Sequence, residues 1–339
     1  MSMGLSEFSS AYLPTLEAEL QRVVAQAGGE GLDELHAMLA YHMGWQGDGA
    51  GIKTTGKRIR PLLVLLACEA AGGVGRKAMP VAVAVELVHN FSLIHDDIED
   101  DSSLRRGRNT LWKNWGVAQA LNAGDAMYAL AHLSLLRLEE TVSPATALKA
   151  ARILQETCLR LTQGQYLDIS YEGLRELPLE AYWPMIGGKT AALLSASAEL
   201  GALVAGANPA KQASYCQFGH FLGLAFQTQD DLLGVWGDAA LTGKSTKSDL
   251  LTGKKSLPIL YGLSLDGPFA RRWRQGPVGP DEVVDLAHQL EAEGARGYTQ
   301  ETADRLTGQA LEHLEDADPQ GEAGEALREL AEMLVRREG

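Results

Sequence analysis

The sequence predicts an all-α fold, and three observations carry that prediction. Apolar residues recur at three- and four-residue steps along nearly the whole chain, the period of a one-sided helix. No stretch shows alternation bounded by hairpin turns, so no strand is expected. Glycine and proline clusters break the pattern at 44–56, 72–75, 206–209 and 276–280, and each is too short to be an interdomain linker. A single domain over residues 1–339 is expected, built as a bundle of roughly ten or more helices.

Taken in order, "LPTLEAELQRVVAQ" repeats its apolar residues at helical steps and reads as a first helix. Beyond the glycine-rich "GWQGDGAGIKTTG", the run "PLLVLLACEAAGG" gives a more apolar one. Segments 81–94 and 190–205 are apolar nearly all round, which places them at the centre of the bundle with other helices about them. "LGLAFQTQDDLLGVW" is helical again and carries an acidic pair near its end. After "GPVGP" the chain turns more polar and charged, as outer helices do.

Composition narrows the function. The formal net charge of −14 repels nucleic acid and anionic membranes. An anionic small molecule is still compatible with it where lysines, arginines or bound cations reverse the local potential. Cys68, Cys158 and Cys216 have no metal-ligand spacing and cannot all pair, which favours a reducing cytosol. The opening "MSMGLSEFSSAYLPTLEAEL" has no basic region before an apolar run, so no signal peptide is expected. No uncharged apolar stretch reaches membrane-spanning length, and a soluble, cytoplasmic protein with no nucleic-acid partner is expected.

The stretch "LIHDDIEDDSSLRRGRNTLW" sets five acidic residues in six positions directly after an apolar run. Asp96 and Asp100 are four apart, so their carboxylates share one helix face and repel unless a cation sits between them. A solvated helix end would explain a lone cluster, but not the buried approach and the basic "LRRGR" that follows. Asp230 and Asp231 form a second pair at the end of another apolar helix. Oxygen donors of this kind suit Mg²⁺, which binds one or two carboxylates and completes its shell with water and substrate phosphate. No His/Cys spacing supports zinc.

Lysines and arginines beside glycine-rich turns complete the pattern: Lys57 and Arg60 in "GKRIRP", Arg105 and Arg106 in "LRRGR", Lys189 in "GGKT", Lys244 and Lys254 in "GKSTKSDLLTGKKS". Any one of them alone reads as a surface charge. Together they stand where a diphosphate needs donors. "GKST" is not a P-loop, since Asp238 stands where the leading glycine belongs.

"LIHDDIEDDSSLRRG", with "GKRIRP", "GGKTAALLS", "FQTQDDLLG" and "GKSTKSDLLTGKKSLP" in that order, resembles the motif set of the trans-prenyl diphosphate synthases, the polyprenyl synthetase family. The resemblance implies an all-α, single-domain bundle around a deep central cavity, and a homodimer. It implies head-to-tail condensation of isopentenyl diphosphate with an allylic diphosphate, using about three Mg²⁺ ions with Mn²⁺ as a substitute. Asp96, Asp100 and Asp230 then match metal ligands, with Asp97 and Asp231 supporting them. Lys57, Arg60, His89 and Arg106 match the isopentenyl diphosphate site, and Arg105, Lys189, Lys244 and Lys254 the allylic diphosphate site. Thr190 and Gln227 match polar groups beside the reacting carbon, while Gln165 and Asp168 in "GQYLD" match supporting positions. One departure stands out, because Gly234 replaces the third aspartate that commonly ends the second motif.

Product length also leaves a trace. A growing prenyl chain would run beside the Asp96 helix, and a side chain five residues earlier lies about 7–8 Å deeper. Phe91 holds that position and the small Ser92 the next. A helical wheel puts Ser92 nearer the Asp96 stripe, so Phe91 as the tunnel floor rests on the resemblance, against the bland reading of an ordinary core aromatic. That pattern is similar to geranylgeranyl synthases and implies a C20 product, with farnesyl (C15) as the alternative. A type I terpene cyclase would need an Asn/Ser/Glu metal triad where Asp230 and Asp231 stand, and no second diphosphate site. A non-catalytic partner subunit is argued against by the intact first motif.

Overall fold

The computed structural model describes residues 4–237 and 248–335. The helices are α1 (Leu5–Val24), α2 (Asp33–His42), α3 (Ile52–Thr55), α4 (Ile59–Ala70), α5 (Met79–Glu99), α6 (Leu111–Trp115), α7 (Val117–Leu136) and α8 (Pro144–Glu172). They continue as α9 (Tyr182–Ile186), α10 (Ala192–Val204), α11 (Pro209–Trp236), α12 (Ser248–Thr252), α13 (Leu257–Ser264), α14 (Pro268–Trp273), α15 (Val283–Ala292), α16 (Ala295–Asp316) and α17 (Gly321–Val335). The all-helical expectation holds, with one local exception. Strands β1 (Leu104–Arg105) and β2 (Arg108–Asn109) pair antiparallel between α5 and α6. Arg106 and Gly107 form the turn, both at positive φ (51° and 75°), which matches the twist of a two-residue hairpin. Three arginines in this six-residue hairpin leave no apolar alternation to betray it.

Contacts divide the chain into two compact units. One comprises residues 1–155, 196–215 and 317–327; the other comprises 156–195, 216–316 and 328–339. In the first unit α5 is the central element. Val81, Val83, Val85, Leu87 and Val88 are buried together with Ala82 and Ala84, as an all-round apolar helix requires. Each such valine or leucine contributes about 1.5–3 kcal/mol through burial. α7 turns Ala120, Ala123, Gly124, Met127 and Ala131 inward. A Cβ on Gly124 would strike the His95 ring of α5, so the two helices approach closely there.

The span 75–99 is long and apolar enough to cross a membrane by length and composition, though it carries charged residues such as Glu86, and 72% of its apolar window is buried inside the protein. A helix coated by neighbours needs no lipid. In the second unit α13 is a short core helix, with Leu257, Ile259 and Leu260 fully buried. Ahead of α10, residues Gly187–Ala191 form one π-helical turn. It packs backbone to backbone on α8, where a Cβ on Gly188 would meet the Arg160 carbonyl at 2.6 Å. Such π-turns displace side chains from their α-helical register.

Candidate active site

In the first unit the acidic motif sits where α5 ends. Asp100 caps the helix rather than continuing it, and its N–H donates to the Asp96 carbonyl at 2.9 Å. The two carboxylates therefore stand one turn apart. Asp97 points the other way: its side chain is 3% exposed against 22% for Asp96. Arg105 clasps it, with Nε at 2.8 and 2.9 Å from the two carboxylate oxygens and a terminal nitrogen at 2.8 Å. Burial pushes the Asp97 carboxyl above its ordinary pKa even so. Arg105 also lies 3.6 Å from Asp96, which ties a residue matched to the allylic diphosphate to the first acidic motif.

The residues matched to isopentenyl diphosphate come partly together in the same unit. Arg60 and His89 Nε2 are 3.3 Å apart. Arg106 donates to the Thr54 carbonyl at 2.8 Å, beside Gly56. Lys57 is exposed. Burial first, and then the guanidinium groups of Arg60, Arg106 and Arg105, drive the His89 imidazole well below its ordinary pKa. A neutral His89 therefore faces a cationic wall.

The sequence reading passed over two neighbours. His42 is driven down in the same way, by burial and then by Arg105, Arg106 and Arg58. Arg58, inside the quoted "GKRIRP", is 2% exposed and pairs with Glu17 at 2.6 Å and with the buried Glu86 at 2.7 Å. It anchors the start of α4 and so holds Arg60. Its place in the basic run was visible, whereas its acidic partners, 41 and 28 residues away, were not.

In the second unit the acidic pair has a similar division. Asp230 is partly exposed and Asp231 buried. Asp231 accepts from Tyr182 Oη at 2.7 Å, Gln227 Nε2 at 2.9 Å and the Leu257 N–H at 2.9 Å, satisfying a bare donor at the start of α13. Burial, then the nearby Asp249 carboxylate, pushes its pKa up to about 7. Thr190, from the π-turn, donates to Gln227 Oε1 at 2.7 Å, so Thr190, Gln227, Asp231 and Tyr182 form one chain. Lys189 pairs with Asp168 one turn beyond Gln165 on α8. Lys254 is partly buried just past α12, and its N–H donates to the Asp249 carbonyl at 3.1 Å. Lys244 and Asp238 lie outside the described residues.

Gly234 gains a reason here. A Cβ on it would stand 2.8 Å from Asp249 Cγ and closer still to Oδ2, so the Asp249 carboxylate fills the room that a third aspartate would need. Among the described residues no three Asp, Glu, His or Cys side chains form a ready cation cage. Paired carboxylates one turn apart still suit a cation that takes only one or two protein oxygens and fills its shell with water and phosphate.

A polyprenyl synthetase family model matches residues 50–275. The chain is 40% identical over 314 residues to a (2E,6E)-farnesyl diphosphate synthase of Mycobacterium tuberculosis, covering 90% of this chain and 86% of that protein. It is 37% identical over 342 residues to a geranylgeranyl diphosphate synthase of the same organism, covering 98% and 95%. A crystal structure of a polyprenyl synthetase from Streptomyces coelicolor A3(2) superposes with a TM-score of 0.85 at 36% identity, covering 97% of this chain and 98% of that one. This chain belongs to the polyprenyl synthetase family.

Proposed function

We propose that this protein is a trans-prenyl diphosphate synthase that joins isopentenyl diphosphate head to tail with an allylic diphosphate. The observation that carries this reading is the matched construction of its two acidic pairs. In each, the second aspartate is buried and held by protein donors, while the first is left partly exposed at its helix end. Asp96, Asp100 and Asp230 would hold Mg²⁺, or Mn²⁺ in its place. Those ions supply Lewis-acid stabilisation of the departing allylic diphosphate. Arg105, Lys189 and Lys254, with Lys244, bind that diphosphate, and Asp97 and Asp231 support the metal-binding aspartates. Arg60, Arg106 and Lys57 hold isopentenyl diphosphate, and neutral His89 serves as a hydrogen-bonding partner. Thr190 and Gln227 act as the polar groups beside the reacting carbon, with Gln165 and Asp168 in support.

We read the enzyme as one domain over 1–339, since the family match at 50–275 includes residues of both compact units. Its three free cysteines suit a cytoplasmic setting. As in the family resemblance, it acts as a homodimer.

The product we favour is geranylgeranyl diphosphate. Phe91 packs its ring 4.9 Å from His95 and 5.1 Å from Tyr128 of α7, a braced aromatic that can stop a growing chain. Ser92 turns its hydroxyl to the His89 carbonyl at 2.8 Å instead. Farnesyl diphosphate is the second reading, supported by the 40% identity to a farnesyl synthase.

Incubating the protein alone with Mg²⁺ and both diphosphates tests the function. Elongated product that disappears in excess chelator is expected, whereas full activity in chelator, cyclic hydrocarbon or inertness would sink it. Phe91→Ala should lengthen the products. An unchanged product spectrum would move the floor elsewhere.

A further inference from the structure

The glycine-rich stretch 44–56 belongs, but for Gly56, to none of the acidic or basic motifs, yet its backbone is organised around one side chain. Arg108 donates from Nε to the Asp48 carbonyl at 2.8 Å. Its terminal nitrogens donate to the carbonyls of Tyr41 at 2.9 Å and Gln46 at 2.5 Å. The guanidinium carbon lies 3.8 Å from the centre of the Tyr41 ring. Tyr41 closes the loop from the other side, its hydroxyl donating to the Asn109 carbonyl at 2.9 Å. Gly47 is required beneath that ring: its φ is 81°, and a Cβ would come within 2.7 Å of Tyr41 Cδ2.

This cage matters because of where Arg108 stands. It is the cross-strand partner of Arg105, and like charges directly opposite each other drive a hairpin apart. The conflict is resolved by sending the two side chains to different anchors. Arg105 goes to Asp97 at the end of α5, and Arg108 goes to the carbonyls of residues 41–48. Between them the turn carries Arg106, which is fastened at the far end of the same glycine-rich stretch through the Thr54 carbonyl. The stretch thus grips the hairpin at two points. Three uncharged carbonyls and a ring face call for a planar, multiply donating cation, a demand that lysine meets only in part.

We propose that Arg108 is a positioning residue for isopentenyl diphosphate: seated in the carbonyl cage of the glycine-rich stretch, it fixes the hairpin whose turn presents Arg106. This inference rests on the assignment of Arg106 to that diphosphate. Its test is calorimetric titration of isopentenyl diphosphate into the full-length wild type, Arg108→Gln and Arg108→Lys, with melting temperatures and both Michaelis constants measured alongside. Arg108→Gln should weaken isopentenyl diphosphate binding, and raise its KM, by about tenfold. The allylic KM and kcat should stay within about twofold of wild type. Arg108→Lys, which keeps a charge over Tyr41, should fall in between, and it carries the test if the glutamine variant does not fold.

Unchanged affinity in the variants, a parallel rise of both Michaelis constants, or a wild type that does not bind isopentenyl diphosphate would overturn the proposal. A wild type that binds but does not elongate would sink the enzyme reading alone, since the titration still judges Arg108.

Discussion

Adjacent residues of "GKRIRP" do different work, and their exposure separates them. Lys57 is exposed, whereas Arg58 is 2% exposed, left-handed in backbone (φ 49°) and lodged between Glu17 and Glu86. Trp45 Nε1 adds a 2.9 Å hydrogen bond to Glu17. Truncating Arg58 takes the paired cation from the Glu86 carboxylate, itself 4% exposed, and leaves it the Asn90 Nδ2 donor at 2.9 Å. Arg58→Ala should lose about 3–5 kcal/mol of stability in urea unfolding, the range for breaking a buried ion pair on one side. Lys57→Ala should stay within about 0.5 kcal/mol of wild type. Equal losses would mean that the Glu17–Arg58–Glu86 network is not what holds α4. The histidines give a second residue-scale expectation. His42 and His89 are both held well below the ordinary imidazole range by burial and then by neighbouring arginines. Above about pH 6.5 they are neutral in the folded and unfolded chain alike, so their contribution to stability is complete there. As pH falls through that value the unfolded chain takes up protons that the folded one refuses, and stability drops. The melting temperature should therefore decline between about pH 7.5 and about pH 5.5, and His89→Gln should flatten the decline. A variant that melts with the wild-type pH slope would show that His89 takes up its proton as readily in the folded chain as in the unfolded one.

At the scale of elements, α11 and α12 explain the departure in the second acidic motif. Gly234 lies one turn beyond Asp230 on α11, and the Asp249 carboxylate of α12 fills the space above it. Gly234→Asp should destabilise the protein by about 1–3 kcal/mol through overpacking, with like-charge repulsion added. Combining it with Asp249→Ala should recover most of that loss, because the two side chains compete for one volume and their effects cannot add. Thermal melts of the two single variants and the double variant check this; strictly additive losses would refute it. The sequence shows Gly234 as a gap but not what fills it, because the filling residue comes from another helix. The same limit runs through the fold. Helices such as α1, α4 and α5 were legible because their apolar period is local, and the acidic and basic motifs because their spacing is local too. The β1–β2 hairpin was missed because its strands are two residues long and half arginine. The π-turn at Gly187–Ala191 shows only as "GGKT", since the close helix contact that favours it involves α8. His42, Tyr182 and Arg108 were passed over because their roles depend on partners distant in sequence.

For the whole molecule, the outer face of α7 is the feature with the widest consequence. One side of this helix is buried through Ala120, Ala123, Met127, Leu130 and Ser134. The opposite side shows Val117, Leu121, Leu133 and Leu136 at 41–59% exposure. Asp125 is the only charged residue among the exposed positions of that face. A helix face meant for water carries charges at such positions, and an apolar row marks a contact with another chain. A second copy of this chain suits it best, since a two-fold axis sets the same patch against itself and a nearly uncharged patch adds no like-charge repulsion. The expected homodimer would therefore form through α7. Leu133→Asp combined with Leu136→Asp places four carboxylates across the axis while leaving the buried side of the helix untouched. Sedimentation should show the variant at half the wild-type mass, with unchanged helical circular dichroism. A variant that sediments like a dimeric wild type would put the interface on another surface, and a monomeric wild type would leave the apolar face of α7 to a different partner. The outcome also bears on the site. α7 backs the helix that carries Asp96, through the close approach of Gly124 to His95. A dimer closed over α7 would therefore brace the first acidic motif from behind, and the monomeric variant should lose turnover more than it loses helix.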